Sequence, residues 1–462
     1  MGGIHLERRD IALLGLGVGM ELGWLGLLYL GDLTRHMRTY EAVFFAIFAL
    51  YLAAVWLVVR SSSQSESNGE DEHKAASQQL LPILVLAVLF RLTMLFAWPT
   101  LSDDIYRYVW DGKVFNAGLN PYRYPPNTPA LEHLRHRHWQ RINAPEQVTP
   151  YPPLSQVLFA TVHRLAPDNL WAMKGAMVLL DLLVLLVLLR LLGELRLDRR
   201  RLLIYAWSPL VVLQFAFSGH NDVLMILLLL AALYFDRREK PYYSALALAG
   251  ATLTKFVPLL ALPLFVRRWG WKPTLLYVLA MVGAYLPFLD KDWQVVSGLL
   301  TETRTARFND GLFYLLTRVT SLPIPVAKGI AALVLIGAIL FLLVRNRTLV
   351  VASFTLLALY LLLTPSLHPW YVCWLVPFLA IYLGLGKQLA SGESCSLCSH
   401  AALAWLAFSG LVVLSDLMYV TRGQTWIWIR IAEYGPLLAG LLVALLIEQV
   451  PRIRVAFGVN QG

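Results

Sequence analysis

Apolar runs recur along this chain from Ile11 to Val450, and no other feature narrows the possible folds as much. A bilayer-crossing helix needs about 20 such residues, and a water-soluble chain exposing so many runs would aggregate. Composition agrees, with 58% hydrophobic and 15% charged residues among 462. The expected fold class is an all-α polytopic membrane protein, because helices satisfy their own backbone inside hydrocarbon. The clearer spans lie near 11–30, 41–60, 80–98, 170–194, 202–218, 221–235, 272–289, 325–344, 349–364, 370–386, 401–420 and 431–449. The first follows Arg8-Arg9 without a small-residue cleavage site, so it reads as a retained span and not a removed signal peptide.

A net charge of +10 suggests nucleic acid in a soluble protein. Here the basic residues cluster in short loops, at 196–201, 237–240, 267–272, 345–347 and 452–454, so no nucleic-acid partner is expected. One alternation of spans places all these clusters on the cytoplasmic side. It makes 243–266, with prolines at 258 and 263, a hairpin turning near Thr254-Lys255 or a re-entrant segment. The short run 154–165 is expected to stay on the outer side or share a crossing. The polar stretch 61–79 reads as a cytoplasmic linker between two leading spans, 1–60, and the main bundle. The outer segment 99–153 is expected to fold against that bundle.

Cysteines are limited to Cys373, Cys395 and Cys398, too few for a disulfide framework. Cys395-x-x-Cys398 followed by His400 admits a zinc or redox reading, but no second pair completes four ligands. No cofactor is required by these residues; a divalent metal is compatible with them and not implied.

The same alternation brings the polar and aromatic clusters to the outer face. Asp103 and Asp104 emerge just after the apolar run ending at Trp98, where carboxylates are far less costly than at mid-membrane. They either cap a juxtamembrane helix or supply a general base that takes the proton of an attacking hydroxyl. Adjacent helical residues point about 100° apart, so one faces the cavity and the other supports it, with Asp103 the marginal preference as base. Tyr106 and Trp110 divide between an interfacial belt and a sugar-stacking platform, with Tyr122 and Tyr151 in proline-rich turns. His220, Asn221 and Asp222 sit at a hairpin tip, as caps or substrate contacts. Arg304 and Arg307, beside Glu302, lie where the positive-inside rule disfavours arginine and call for an anionic partner such as a lipid phosphate. Lys255 and His368 are candidates for the same anion, and Trp370 and Tyr371 complete the set. Arg91 and Asp181 fall within spans and are expected to pair or face a cavity.

The runs SDDIYRYVWDGKVFNAGLNPYRYPP at 102–126, TPYPPLSQ at 149–156, AWSPLVVLQFAFSGHND at 206–222, TKFVPLLALPLF at 254–265 and LHPWYVCWLVPFLA at 367–380 resemble bacterial GT-C class glycosyltransferases that use polyprenyl-phosphate sugars, mannosyltransferases among them. The resemblance implies a GT-C-like multi-span helical bundle with a large extracytoplasmic first catalytic loop. The module would occupy 80–390, with outer loops 99–153 and 290–323 and further spans over 391–462. It implies an inverting transfer of a hexose, mannose foremost, from a polyprenyl phosphate carrier to a glycan, lipid or protein acceptor, in the bacterial inner membrane with the site facing outward. Asp103 or Asp104 would be the base. Arg304, Arg307, Lys255 and His368 would hold the phosphate, and the aromatic and hairpin residues would contact the substrate. The main rival is a lipid-linked sugar flippase or transporter. Such proteins often carry duplicated halves and midplane charges, whereas this chain shows no convincing repeat and gathers its charge at one face.

Overall fold

The computed structural model describes residues 8–64, 70–289, 297–384, 396–421 and 427–456. Among them there is no strand, only an isolated bridge between Phe308 and Ser366; the protein is all-α and polytopic. Among the described residues six helices are long and apolar enough to cross a membrane: Arg9–Leu30, Leu33–Arg60, Leu170–Glu194, Ile324–Val344, Ser396–Met418 and Ile427–Gln449. The other expected spans are shorter or broken. The 202–218 run is the clearest case, split into short helical pieces and a π-helical stretch, Val212–Phe217. Proline at 209 explains the first break, and full burial explains why the break is tolerated, since neighbouring protein supplies partners that lipid would not.

We number the first six helices α1 (Arg8–Leu30), α2 (Met37–Gln64), α3 (Glu70–Leu95), α4 (Asp104–Asn116), α5 (Pro153–Leu165) and α6 (Leu170–Glu194). The polar stretch 61–79 is not irregular where it is described. α2 runs on to Gln64 and α3 starts at Glu70, because glutamate, lysine, alanine and glutamine are good helix formers without an apolar stripe. The leading spans pack on the bundle, with Tyr51 donating to the Ile204 carbonyl at 2.6 Å. Arg91 and Asp181 pair with each other at 2.7 Å, fully buried, and Tyr205 donates to the same carboxylate at 2.6 Å.

Basic loops share one end of the bundle. Arg238 meets Glu194 at 3.0 Å, Arg268 meets Asp236 at 2.8 Å, Arg267 reaches the Leu343 carbonyl, and Arg201 donates to Ala380 at 2.8 Å. The opposite end holds the segment 99–153, the turn at 254–256 and the connections 303–310 and 364–371. That turn separates Pro241–Thr252 from Leu262–Trp269, so the chain does reverse near Lys255. α4 and α5 lie together at this end, each 13 residues long, too short to cross.

At Gly112 the α4 backbone touches α5 directly. A Cβ there would stand 2.4 Å from the Phe159 carbonyl oxygen. Backbone cannot step aside cheaply, so Gly112→Ala is expected to cost about 1–3 kcal/mol. The check is thermal unfolding in detergent, where the midpoint should fall.

Candidate active site

A cavity of about 1110 Å³ opens at the end opposite the basic loops. α4 supplies one wall. With 100° per residue, Asp104, Arg107 and Asp111 share a face; Asp104 and Arg107 line the cavity, and Arg107 pairs with buried Asp111 at 2.8 Å while donating to the Gln147 carbonyl at 2.8 Å. That brace ties the helix to the loop beyond it. Tyr106 and Trp110, four residues apart, take the opposite face and are buried. Tyr106 accepts from Arg141 at 3.1 Å, and Trp110 packs near His136. Neither lines the cavity. Tyr122 does not either: its hydroxyl donates to the Tyr151 carbonyl at 2.6 Å and its ring stands edge-on to Phe288. It thereby places Tyr151, which does line the cavity.

Asp103 and Asp104 have different surroundings. Asp103 is the exposed residue preceding α4, on the cavity rim. Asp104 turns inward, with Asn143 donating to one oxygen at 2.7 Å and His220 Nδ1 3.5 Å from the other. Burial pushes the Asp104 carboxyl up, but His220 foremost, and then the Lys255 ammonium, outweigh it and bring it down to about 2. At 3.5 Å the histidine contact is at the long end of hydrogen-bond range. Of the pair, Asp104 is the one held among cavity side chains and Asp103 the one left on the rim.

Behind Asp104 four rings stack in a column. His220 lies on Trp370 at 3.9 Å, Trp370 on His368 at 4.4 Å, and His368 on Phe308 at 4.6 Å with 5° between planes. His368 and Trp370 face the cavity, and His368 shares a 3.0 Å hydrogen bond with Ser366. Burial is the main cause holding the His368 ring down, to about 3; Asp104 pulls the other way, and Lys255 and His220 add to the lowering. His368 therefore stays neutral across physiological pH. The expected result is a pH profile of turnover with no inflection from His368 near 6.5. The same depression means that its contribution to stability is intact above 6.5 and is lost as pH falls from there towards about 3, because the unfolded ring takes up its proton first. Chemical unfolding followed between pH 7 and 4 checks the sign.

Lys255 stands at the turn of its hairpin, its ammonium 2.9 Å from buried Asp222 and 4.7 Å from the centre of the Tyr371 ring. Asp222 also accepts from Trp374 at 2.8 Å, and its other oxygen has no hydrogen-bond partner. Asn221 is scaffolding: it donates to Ser155 at 2.9 Å and accepts from Tyr108 at 3.3 Å. Gly219, at φ +76, lets the chain turn under Ile105, where a Cβ would stand 2.8 Å away. His220 and Asp222 thus support the cavity from beneath.

The expected arginine site takes another form. Arg304 is exposed and Arg307 pairs with Asp310 at 2.5 Å, so the anion that Arg307 called for is a neighbouring carboxylate, and neither residue lines the cavity. The side chain of Glu302 lies outside the described residues, as does Cys395. Lys328 is the cation on this wall, lining the cavity with its ammonium 2.6 Å from the Thr303 carbonyl. A lysine inside the otherwise apolar span Ile324–Val344 is a signal that the sequence carried. Asn143, in an irregular loop, carried none. Among the described residues no three histidine, cysteine, aspartate or glutamate side chains gather as a metal site requires.

The family model for the alpha-(1->6)-mannopyranosyltransferase N-terminal domain matches residues 10–271, more than half of the chain. The chain belongs to this family. It is a mannosyl-transferring glycosyltransferase, and its matched portion contains Asp104, Asn143, His220, Asp222 and Lys255. Phe308, Lys328, His368 and Trp370 of this mannosyltransferase lie beyond it. No curated protein and no solved structure matches the chain.

Proposed function

We propose that this enzyme is an inverting GT-C mannosyltransferase that takes mannose from a polyprenyl phosphate and attaches it to a mannose 6-hydroxyl on the extracytoplasmic face. The observation that carries the reading is one cavity holding a fixed carboxylate, Asp104, together with the cationic Lys255 and Lys328 and the neutral His368. Its 1110 Å³ exceeds what a sugar alone needs and suits a sugar, a phosphate and the first part of a lipid tail. One wall, at Ala331, Ala332 and Leu335, belongs to the span Ile324–Val344, most of which the rest of the protein leaves uncovered. A tail leaving past those residues passes straight into lipid. The gathering of basic loops at the other end supports an outward-facing cavity.

On this reading Asp104 accepts the proton of the acceptor hydroxyl as its oxygen attacks the anomeric carbon, and the bond from that carbon to the phosphate oxygen breaks on the opposite face. Lys255 and Lys328 neutralise the departing phosphate, and His368 is placed to donate to it. Inversion turns a β-linked donor into the alpha product of the family description. A carboxyl near 2 is a weak base, but the donor phosphate draws charge from Lys255 and so lifts Asp104 when the site is filled.

The test is reconstitution with a panel of polyprenyl-phosphate sugars, following released polyprenyl phosphate. Mannose is expected to be the preferred donor sugar. Translocation of the lipid-linked sugar without transfer would replace this reading with the flippase.

A further inference from the structure

The segment that ends the ring column, 306–311, touches the stretch of chain bearing His368 on one side. Its other side is held by the C-terminal helix, Ile427–Ala456, which lies wholly beyond the family match. Asn309, at φ 45, is fully buried. Its amide donates to Glu433 at 2.5 Å and its carbonyl accepts from the Tyr434 hydroxyl at 2.7 Å. Arg430 reaches Asp310 at 2.9 Å, opposite the Arg307 contact. Gly311 sits against the Tyr434 ring so closely that a Cβ would overlap it, 2.2 Å from the nearest ring carbon. On the other side, Phe308 is tied to the segment bearing His368: its N–H donates to Pro365 at 3.2 Å and its carbonyl accepts from Leu367 at 2.7 Å. The chain of contacts therefore runs from Glu433 and Tyr434, through Asn309 and Phe308, to His368 and the cavity.

We propose that the C-terminal helix is part of the active site: Arg430, Glu433 and Tyr434 are positioning residues that clamp Asn309-Asp310 and so fix Phe308 against His368 on the donor side of the cavity. The inference rests on the donor reading above only for its kinetic readout. Two buried bonds on one asparagine, one to the Glu433 side chain and one from the Tyr434 hydroxyl, hold a left-handed residue that would otherwise relax. Relaxation shifts Phe308, and with it the stacking that orients His368.

The experiment pairs Glu433→Ala and Tyr434→Phe with Glu433→Gln, which keeps an acceptor for Asn309, and with Leu442→Ala on the exposed side of the same helix. In hydrogen exchange, Glu433→Ala and Tyr434→Phe are expected to lose amide protection at Phe308 and Leu367 while α6 keeps its own. Where transfer is measured, donor KM rises about 10-fold, the upper end of what one lost hydrogen bond is worth, with kcat little changed. Glu433→Gln restores most of it and Leu442→Ala changes nothing. Unchanged protection at Phe308 and Leu367 in both variants overturns the clamp, whatever the donor proves to be. Lost protection without donor-dependent transfer in the parent enzyme upholds the clamp and overturns the donor reading instead.

Discussion

Replacing Asp104 by asparagine lowers the transfer rate by about 10³-fold, within the 10² to 10⁴ that a positioned proton acceptor supplies. Asparagine keeps the shape and can still meet Asn143 and His220, so the donor KM should move little and the protein should remain folded. Asp103→Asn, on the exposed rim, is expected to stay within about threefold of the parent, since exposed substitutions away from the chemistry cost little. Single-turnover transfer from labelled donor separates the two effects from binding. Equal losses at both positions would mean that the pair acts through the potential of the rim and not as one base.

The second large effect is at Lys255. Lys255→Met leaves Asp222 fully buried with the Trp374 indole N–H still donating to it but no cation beside it, and breaking a buried pair from one side costs about 3–5 kcal/mol. The single variant should therefore express poorly or unfold early. Adding Asp222→Asn removes the stranded charge, and the double variant is expected to recover most of the stability. Activity separates structure from chemistry. If Lys255 neutralises the leaving phosphate, the refolded double variant remains slower by about 10²-fold or more. A double variant that regains full turnover would confine Lys255 to holding its hairpin.

Much of this was legible in the residues. Apolar run length announced the polytopic helical class, loop charge brought the polar clusters to one end, and prolines at 258 and 263 marked the broken element whose turn presents Lys255. Spacing on α4 also held more than was drawn from it: the 100° step that separates Asp103 from Asp104 places Tyr106 and Trp110 on the far side from Asp104. The arginines at 304 and 307 misled because the rule that flags them concerns only their side of the membrane, and Arg307 found its anion three residues away in Asp310. The ring column was out of reach, since Phe308, His368, Trp370 and His220 come from distant segments and no periodicity links them. The 202–218 run looked like a span because burial in protein and burial in lipid demand the same apolar composition, while only the former tolerates a broken helix.

The most direct measurement is a structure of the Asp104→Asn enzyme bound to polyprenyl phosphate mannose. The phosphate is expected within hydrogen-bond reach of Lys255 or Lys328, the anomeric carbon turned towards residue 104, and the lipid leaving past Ala331 and Leu335. A donor bound at the opposite end of the bundle, or in the cavity with its phosphate away from both lysines, would contradict it.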